Sequence, residues 1–348
     1  MINLGITQLY YNKGEMQLKA MVINKTGGPE VFEKMDIEVP QIKPGYVLVK
    51  VAASSLNPLE TKIRSGLTPA IIPPFPAVLN ADFSGVVIRV SEGVQKVKIG
   101  DEVYGYVGGI KNECGALGEY TLVDEDLLCL KPKNLSFNEA AMVPLVGITA
   151  WRAIIEYSNI KTNDKVLIHG AAGGVGHMAV QLAKLLNAKV YATVSSDEKG
   201  EIAKSFGADH IINYKKEDVE QYVNKYTGGT GFDVVFDTVG GNNLLNSFKA
   251  AKLGGLVLTT NTRVTLDLSL MHSKSIGLKA IFIVLPVLSN TNRYEIGNIL
   301  NGLKDLIEEG NIKILKDEKE FKFSEIAKAH EYYESGQSKG KILLINDL

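Results

Sequence analysis

A run of small residues from Ala171 to Gly176 is the feature of this sequence that most constrains its fold. It reads AAGGVG and lies between a predicted strand, KVLIHG (165–170), and a predicted helix, VGHMAVQLAKLLN (175–187), whose apolar residues recur on one face. Small residues let the backbone turn tightly and approach a pyrophosphate, which the amides at a helix start then face. The loop therefore predicts a dinucleotide site at Ala172, Gly173, Gly174, Val175 and Gly176. The alternative is a tight strand-to-helix turn without a ligand.

The alternation of strands and helices continues beyond this loop. Strands are predicted at 188–194, 210–214, 233–239, 256–260 and 278–284, with helices at 198–206, 217–226 and 243–251. Gly207 follows the first of these helices, as a C′ glycine does. Six strands with crossover helices are typical of a doubly wound parallel sheet.

The first third of the chain has a β pattern instead. Short runs rich in Val, Ile, Tyr and Phe, punctuated by Gly and Pro, predict strands at 18–23, 46–54, 83–90, 102–107 and 118–123. This pattern favours a small barrel or sandwich over a parallel sheet. Residues 139–157 are predicted to be helical with an interruption around Pro144, and the last part to hold helices at 292–309 and 324–335 and strands at 319–323 and 341–346.

The second strand of the parallel sheet predicts which cofactor binds. NAD sites place an acidic residue at its tip to bind the ribose diol. Here the strand ends at Ser195 and Ser196, and Lys199 follows within reach of a 2′-phosphate. This favours NADP. The alternative is that the serines only cap the next helix and Lys199 is a solvated surface charge.

Composition excludes several other classes of protein. The 348 residues carry 38 Lys and Arg against 39 Asp and Glu, so no strong field would attract nucleic acid or an anionic membrane. The longest apolar run, 280–288, is too short to span a bilayer, and the first residues do not read as a secretory signal. The 2 cysteines cannot form a disulfide framework and fit a reducing compartment. We therefore expect a cytoplasmic protein.

Several motifs together resemble one known family. The motifs are SLNPLETKIRSG (55–66), ADFSGVV (81–87), GDEV (100–103), GITAW (147–151), the glycine loop, and GKILL (340–344). With these motifs the chain resembles the medium-chain dehydrogenase/reductase superfamily, and within it the zinc-free quinone oxidoreductases that include ζ-crystallin. The resemblance runs from about residue 18 to the end of the chain.

The resemblance implies an α/β fold with a GroES-like, β-rich catalytic domain and a Rossmann domain built on the doubly wound parallel sheet. We expect the catalytic domain at 1–140, the Rossmann NADP-binding domain at 141–284, and a return to the catalytic domain at 285–348. Met16 is expected to be the natural start, or residues 1–15 a loose extension; the alternative is an extra edge segment. A homodimer is implied by the resemblance alone.

The resemblance also implies roles for individual residues. Thr149 matches the threonine beside the nicotinamide ribose, and Lys199 and Tyr214 match the partners of the 2′-phosphate. Thr260 and Asn261 end the fifth strand, near the nicotinamide. Asn57 matches the asparagine of the substrate cleft. In ζ-crystallin-like chains a Tyr tends to stand where this chain has Lys62, so this position departs from the family pattern.

Zinc relatives hold the metal through a Cys, a His-Glu pair and a third Cys or Asp. The corresponding regions here read Asn57-Pro58, Ala81-Asp82 and Met142-Val143-Pro144, so only Asp82 could be a ligand. The five histidines are scattered along the chain and are expected to be structural or on the surface. We therefore expect no bound metal.

These observations predict an NADPH-dependent, zinc-free oxidoreductase that transfers hydride to a small-molecule quinone or α,β-unsaturated carbonyl. Asn57 is expected to donate to the acceptor oxygen as charge develops, with electrostatic help from Lys62. One alternative is a metal-free aldehyde or alcohol reductase. Another is a cofactor-binding protein with a structural or RNA-binding role, against which the balanced charge argues.

Overall fold

The computed structural model describes residues 17–348, and the prediction for residues 1–15 and Met16 lies outside this range. The first part of the chain forms two antiparallel sheets. Its strands are β1 (Gln17–Ile23), β2 (Phe32–Glu38), β3 (Tyr46–Leu56), β4 (Ala77–Val78), β5 (Asp82–Val90), β6 (Glu102–Tyr106), β7 (Tyr120–Asp124) and β8 (Leu128–Leu130). Helix α1 (Pro58–Arg64) follows β3, and α2 (Phe137–Ala140) and α3 (Pro144–Trp151) follow β8, with α3 continuing as a π-helix over Arg152–Tyr157.

The middle of the chain forms the parallel sheet that the sequence predicts. Its elements are β9 (Lys165–His169), α4 (Gly174–Leu185), β10 (Lys189–Val194), α5 (Asp197–Ser205), β11 (His210–Asn213), α6 (Val219–Thr227), β12 (Phe232–Asp237), α7 (Asn243–Ala250), β13 (Ala251–Thr259), α8 (Ser269–Ser273) and β14 (Gly277–Ala280). The strand order is β11-β10-β9-β12-β13-β14. The order reverses between β9 and β12, as in Rossmann sheets, so the predicted fold class is confirmed.

The end of the chain returns to the first part. It contains α9 (Leu285–Ser289), α10 (Tyr294–Glu308), β15 (Lys316–Lys322), α11 (Ile326–Glu334) and β16 (Lys341–Ile345). Strand β16 pairs antiparallel with β3, placing Ile342 opposite Leu56, and pairs in parallel with β15. A sheet with the order β15-β16-β3-β5-β6-β8 results, with β7 also paired to β3.

One strand prediction needs correction. The predicted strand 278–284 ends at Ala280 in the structure. Ile281 makes one last backbone bond to Thr259, and the chain then leaves the sheet. Residues 281–284 line a cleft, where Ile281, Ile283 and Val284 are buried while Phe282 stays exposed.

Candidate active site

A cleft of about 1210 Å³ opens at the carboxyl ends of the parallel strands and is lined by residues of both the parallel and the antiparallel sheets. Ligands of doubly wound sheets bind at this edge, where the strand order reverses. Most residues singled out from the sequence line the cleft: Asn57, Lys62, Thr149, Ala172, Gly173, Gly174, Val175, Ser195, Lys199, Tyr214, Thr260 and Asn261. Gly176 and Ser196 do not.

The glycine loop joins β9 to α4. A Cβ atom on Gly176 would lie 2.2 Å from the carbonyl oxygen of Gly170, so only glycine allows α4 to pack this close to the turn. Gly176 therefore has a packing role beneath the loop. Gly173 is the N-cap of α4, and Gly174 is its first residue. The free amides of this 12-residue helix open into the cleft, which fits the pyrophosphate of a dinucleotide.

Four buried polar atoms in the cleft wall have no partner among the described residues, and they belong to Thr68, His169, Tyr222 and Asn243. Within residues 17–348, Nε2 of His169 and Nδ2 of Asn243 are buried and have no hydrogen-bond partner. The other ring nitrogen of His169 is bonded to the hydroxyl of Thr193 at 3.0 Å. A buried polar group without a partner costs free energy, which a polar ligand would relieve. His169 was expected to be structural or on the surface, and the structure places it in the cleft.

The residues proposed for the 2′-phosphate lie after β10 and β11. The hydroxyl of Ser196 accepts from the backbone N–H of Lys199 at 3.3 Å, so Ser196 caps α5. Within the described part of the chain the Lys199 ammonium makes no ion pair. The two acids next to it are both paired elsewhere, Asp197 with Lys216 at 2.8 Å and Glu198 with Lys339 at 2.6 Å. No adjacent carboxylate therefore competes for Lys199.

Three residues proposed for the nicotinamide end meet in the cleft from different elements. Thr149 is buried in α3, and its hydroxyl donates to the carbonyl of Leu145 at 2.7 Å. Thr260 and Asn261 follow β13, where the Thr260 hydroxyl donates to the carbonyl of Thr238 at 3.3 Å. The structure brings these residues to one site, and their contact with a nicotinamide stays a prediction.

Asn57 belongs to a buried network of charged groups. It is the N-cap of α1, and its amide nitrogen donates to Asp82 at 2.9 Å and to Glu60 at 3.4 Å. Its amide oxygen accepts from the ammonium of Lys341, which also donates to the carbonyl of Leu56 at 3.1 Å and to Asp82 at 3.3 Å. The prediction that Asn57 donates to a substrate oxygen is at odds with this geometry, because both amide hydrogens have carboxylate acceptors.

Burial shifts the ionisation of this network. Burial raises the pKa of Glu60 to about 7, and the negative charge of Asp82 adds to the shift, while Lys341 opposes it. Burial also lowers the pKa of Lys341, against the opposing attraction of Asp82 and Glu60. With Glu60 protonated, Lys341 and Asp82 neutralise each other. Protonation of Glu60 therefore removes an excess negative charge beneath the cleft.

Lys62 lies on α1, half-buried at the cleft. Burial lowers its pKa, and the nearby positive charge of Arg263 lowers it further. In the described residues its ammonium has no hydrogen-bond or ion-pair partner, so its donors are available to a ligand.

The donor set gives no support for a metal site in the part of the chain that the structure describes. No group of three or more His, Cys, Asp or Glu side chains within residues 17–348 is arranged to hold a metal ion. His177 is held by two backbone groups, the carbonyl of Gly173 at 3.1 Å and the N–H of Leu315 at 3.1 Å. The expectation of no bound metal stays a prediction.

Sequence reasoning missed three participants in the site. Lys341 was noticed only as part of a family motif and Asp82 only as a possible zinc ligand. Arg263, in the loop after β13, carried no signal at all. The capping pattern Asn57-Pro58-Leu59-Glu60 could have revealed both α1 and the link between Asn57 and Glu60.

Comparison with known proteins agrees with this architecture. The chain matches the family described as alcohol dehydrogenase GroES-like domain over residues 43–133, and the family described as zinc-binding dehydrogenase over residues 174–295. No helix among the described residues is both long enough and apolar enough to cross a membrane.

Individual relatives cover nearly the whole chain. An NADPH-dependent alkenal/one oxidoreductase, chloroplastic, of Arabidopsis thaliana is 37% identical over 336 residues, covering 94% of this chain and 79% of the relative. Quinone oxidoreductase 1 of Escherichia coli is 32% identical, covering 92% of this chain and 98% of the relative. The crystal structure of Escherichia coli quinone oxidoreductase complexed with NADPH superimposes with a TM-score of 0.82 at 31% identity, covering 94% of this chain and 99% of that one. This chain therefore belongs to the medium-chain dehydrogenase/reductase superfamily, in its quinone oxidoreductase branch.

Proposed function

We propose that this chain is an NADPH-dependent reductase that transfers a hydride to a quinone or an α,β-unsaturated carbonyl compound. The observation that carries the proposal is the single cleft, in which the glycine loop of the parallel sheet and α1 beside the antiparallel sheet line one cavity. The names of the relatives support it, since they state NADPH, alkenals and quinones.

The glycine loop and the start of α4 would hold the pyrophosphate, and Ser195, Lys199 and Tyr214 the 2′-phosphate. When bound, NADPH supplies hydride from C4 of its nicotinamide. Thr149, Thr260 and Asn261 orient the ring against the acceptor, and most of the catalysis is this placement.

Negative charge builds on the acceptor oxygen as hydride arrives, and a preorganised cation there lowers the barrier. Lys62 is the best-placed side chain for this, because its ammonium donors have no protein partner in the described chain. The enolate or hydroquinone anion takes its proton from water. All three protons of Lys341 already have acceptors, so we assign it no proton transfer.

The contacts of Asn57 support a role other than donation to the acceptor oxygen. We propose that Asn57 positions Lys341 and links it to Asp82 and Glu60. Asn57→Ala should therefore lower the free energy of unfolding together with turnover. Lower turnover in a variant of unchanged stability would restore the donor role.

The location, the oligomeric state and the partners of the protein are proposals that rest on its composition and on the resemblance. We propose a cytoplasmic homodimer that acts on small molecules without metal, nucleic acid or membrane. A mass from sedimentation equilibrium that corresponds to one chain would exclude the dimer.

The function is tested by NADPH oxidation with 1,2-naphthoquinone, an enone and a saturated aldehyde, each repeated with NADH. We expect the quinone and the enone to be reduced, the enone at its carbon–carbon double bond. Reduction of the aldehyde alone would favour the metal-free aldehyde reductase. NADPH binding without turnover of any acceptor would favour a cofactor-binding protein without catalysis.

A further inference from the structure

We propose that the acceptors of this cleft carry an anionic group, a carboxylate or a sulfonate, which Lys62 and Arg263 bind together. The inference rests on the proposed reductase function and specifies its substrate class.

The two basic residues belong to opposite walls of the cleft and meet at one turn. Lys62 lies on α1, and its carbonyl accepts from the backbone N–H of Leu67 at 2.9 Å. The carbonyl of Leu67 in turn accepts from Nη2 of Arg263, in the loop after β13, at 2.6 Å. This contact places the guanidinium beside the turn, and its other N–H donors have no acceptor among residues 17–348. Both side chains line the cleft, and the three N–H donors of Lys62 allow it to contact both the anionic group and the acceptor oxygen.

This end of the cleft has an uncompensated positive charge. Neither Lys62 nor Arg263 forms an ion pair with any residue in the range 17–348. The acidic residues of the cleft lining, Glu217 and Asp218, precede α6 at the other end and are engaged there. Glu217 pairs with Lys225 at 3.0 Å, and Asp218 accepts from the N–H of Gln221 at 2.9 Å.

Two cations close together without a counter-ion repel each other, and the pKa of Lys62 is lowered first by burial and then by this repulsion. A carboxylate or sulfonate bound between them would remove the repulsion and gain charge-assisted hydrogen bonds. A neutral acceptor can accept hydrogen bonds from the two cations, but it does not remove their repulsion. The pair should therefore select for anionic acceptors.

The phosphates of the cofactor are the other possible source of an anion, but the topology places them elsewhere. The glycine loop follows β9, and Ser195 follows β10, which lies on the far side of β9 from β13. Arg263 follows β13, close in sequence to Thr260 and Asn261. The pair thus lies on the proposed nicotinamide side, where the acceptor must bind.

The test compares trans-β-acetylacrylate with its methyl ester, two enones that differ in charge. In the unsubstituted protein we measure the ratio of kcat/KM for the acid to that for the ester, at low and high salt. The ratio is then measured for Arg263→Lys, Arg263→Gln and Arg263→Glu. NADPH affinity is measured for each by fluorescence, and Lys204→Gln, on the exposed face of α5, is the control.

We expect the ratio to fall by about tenfold in Arg263→Gln and further in Arg263→Glu, with Arg263→Lys keeping most of it. Salt should lower the ratio in the unsubstituted protein and much less in Arg263→Gln. A ratio that Arg263 variants leave unchanged would overturn the inference, while the function stands if either enone is reduced. Weaker NADPH binding that accounts for the whole change would assign the pair to the cofactor and also overturn it. Failure of both enones and of quinones would overturn the function itself.

Discussion

Lys341 is the residue on which both halves of the site depend. It is buried, and its ammonium joins Asn57 and Asp82 beneath the cleft. Its aliphatic chain would lie 3.2 Å from a Cβ on Gly174, so it also packs against the glycine loop. A buried ion pair is weak evidence for stability, but loss of one partner leaves the other charge uncompensated.

Lys341→Met should therefore lower the free energy of unfolding by about 3–5 kcal/mol, because Asp82 is left buried without its cation. Urea denaturation measures the change. The double variant Lys341→Met with Asp82→Asn should lose less free energy of unfolding than the two single variants lose together. Lys316→Met, whose exposed pair with Glu320 spans 2.7 Å, is the control and should cost about 1 kcal/mol or less. Strict additivity in the double variant would mean that the two charges do not interact.

Lys199 should decide between the two nicotinamide cofactors. Lys199→Ala removes a charged contact to the 2′-phosphate, which is worth about 1.5–3 kcal/mol, so NADPH binding should weaken roughly 10- to 150-fold while NADH binding changes little. Fluorescence titration with both cofactors measures this. Lys204→Ala, on the same helix but outside the cleft, serves as the matched control. Equal losses for NADPH and NADH would remove Lys199 from the phosphate site.

Glu60 should make stability depend on pH in a defined window. Between pH 4.5 and about 7 the unfolded chain has lost the Glu60 proton while the folded chain keeps it. The Glu60 contribution to stability therefore falls as pH rises through this window, by about 3 kcal/mol in all. His177 and His330, whose pKa values burial lowers to about 4 and about 3, act in the opposite direction.

The histidines change stability with pH in the opposite direction to Glu60. The Glu60 contribution is therefore measured as the difference in stability between the unsubstituted chain and a Glu60 variant. Urea unfolding of the unsubstituted chain and of Glu60→Gln is compared near pH 5 and near pH 8. The unsubstituted chain should lose stability relative to the variant at the higher pH. A difference that does not vary with pH would show that Glu60 ionises normally.

At the scale of single residues, the sequence revealed what lies close together in the chain. The glycine loop and the serines with Lys199 are contiguous, so their chemistry can be read directly. The partners of Lys341 are 284 and 259 positions away, in Asn57 and Asp82. No local pattern shows such a contact, and for that reason the charge network was missed.

At the scale of elements, hydrophobic periodicity located the inner strands of the parallel sheet and the helices α4 to α7 because each buries apolar side chains. It missed β2, whose sequence FEKMDIE is mostly charged and largely exposed at the edge of its sheet. It also missed α1, whose 7 residues give fewer than two turns of pattern. Edge strands and short helices are stabilised by contacts with neighbouring elements, and hydrophobic periodicity does not reveal those contacts.

Substitution of Gly176 tests the close packing of α4 on β9. Gly176→Ala places a Cβ atom against the backbone oxygen of Gly170, so the helix must shift and stability should fall by about 1–3 kcal/mol. Gly173→Ala is the comparison, because its Cβ would lie 3.2 Å from the nearest atom. Thermal unfolding without cofactor measures both variants. A smaller loss for Gly176→Ala than for Gly173→Ala would contradict the packing role.

At the scale of the whole molecule, the cleft exists only because two sheets meet. The Rossmann sheet supplies the cofactor side, and α1, next to the antiparallel sheet, supplies Asn57 and Lys62. The fold class follows from the sequence pattern and the resemblance together. The boundaries 1–140, 141–284 and 285–348 stay predictions, and β16 on the catalytic sheet agrees with the last of them.

We expect the cleft as a whole to work without a metal. The side chains where a zinc relative would hold its metal, Asn57 and Asp82, are saturated with hydrogen bonds from Lys341, Ser55 and the N–H of Leu145. We expect less than one zinc per chain by elemental analysis, and quinone reduction that survives dialysis against a chelator. Stoichiometric zinc together with activity lost to the chelator and restored by zinc would refute this.

Strand β16 is made after all the other strands of the described chain, yet it pairs with β3, which is made early. During synthesis residues 53–56 of β3 therefore have one open edge while the entire Rossmann sheet emerges, since β7 covers only residues 46–50 on that side. Asp82 likewise has no ion-pair partner among the described residues until Lys341, the first residue of β16, has been made. The nascent antiparallel domain is thus incomplete in both backbone pairing and charge, and a chaperone that covers strand edges would have its target there until β16 emerges.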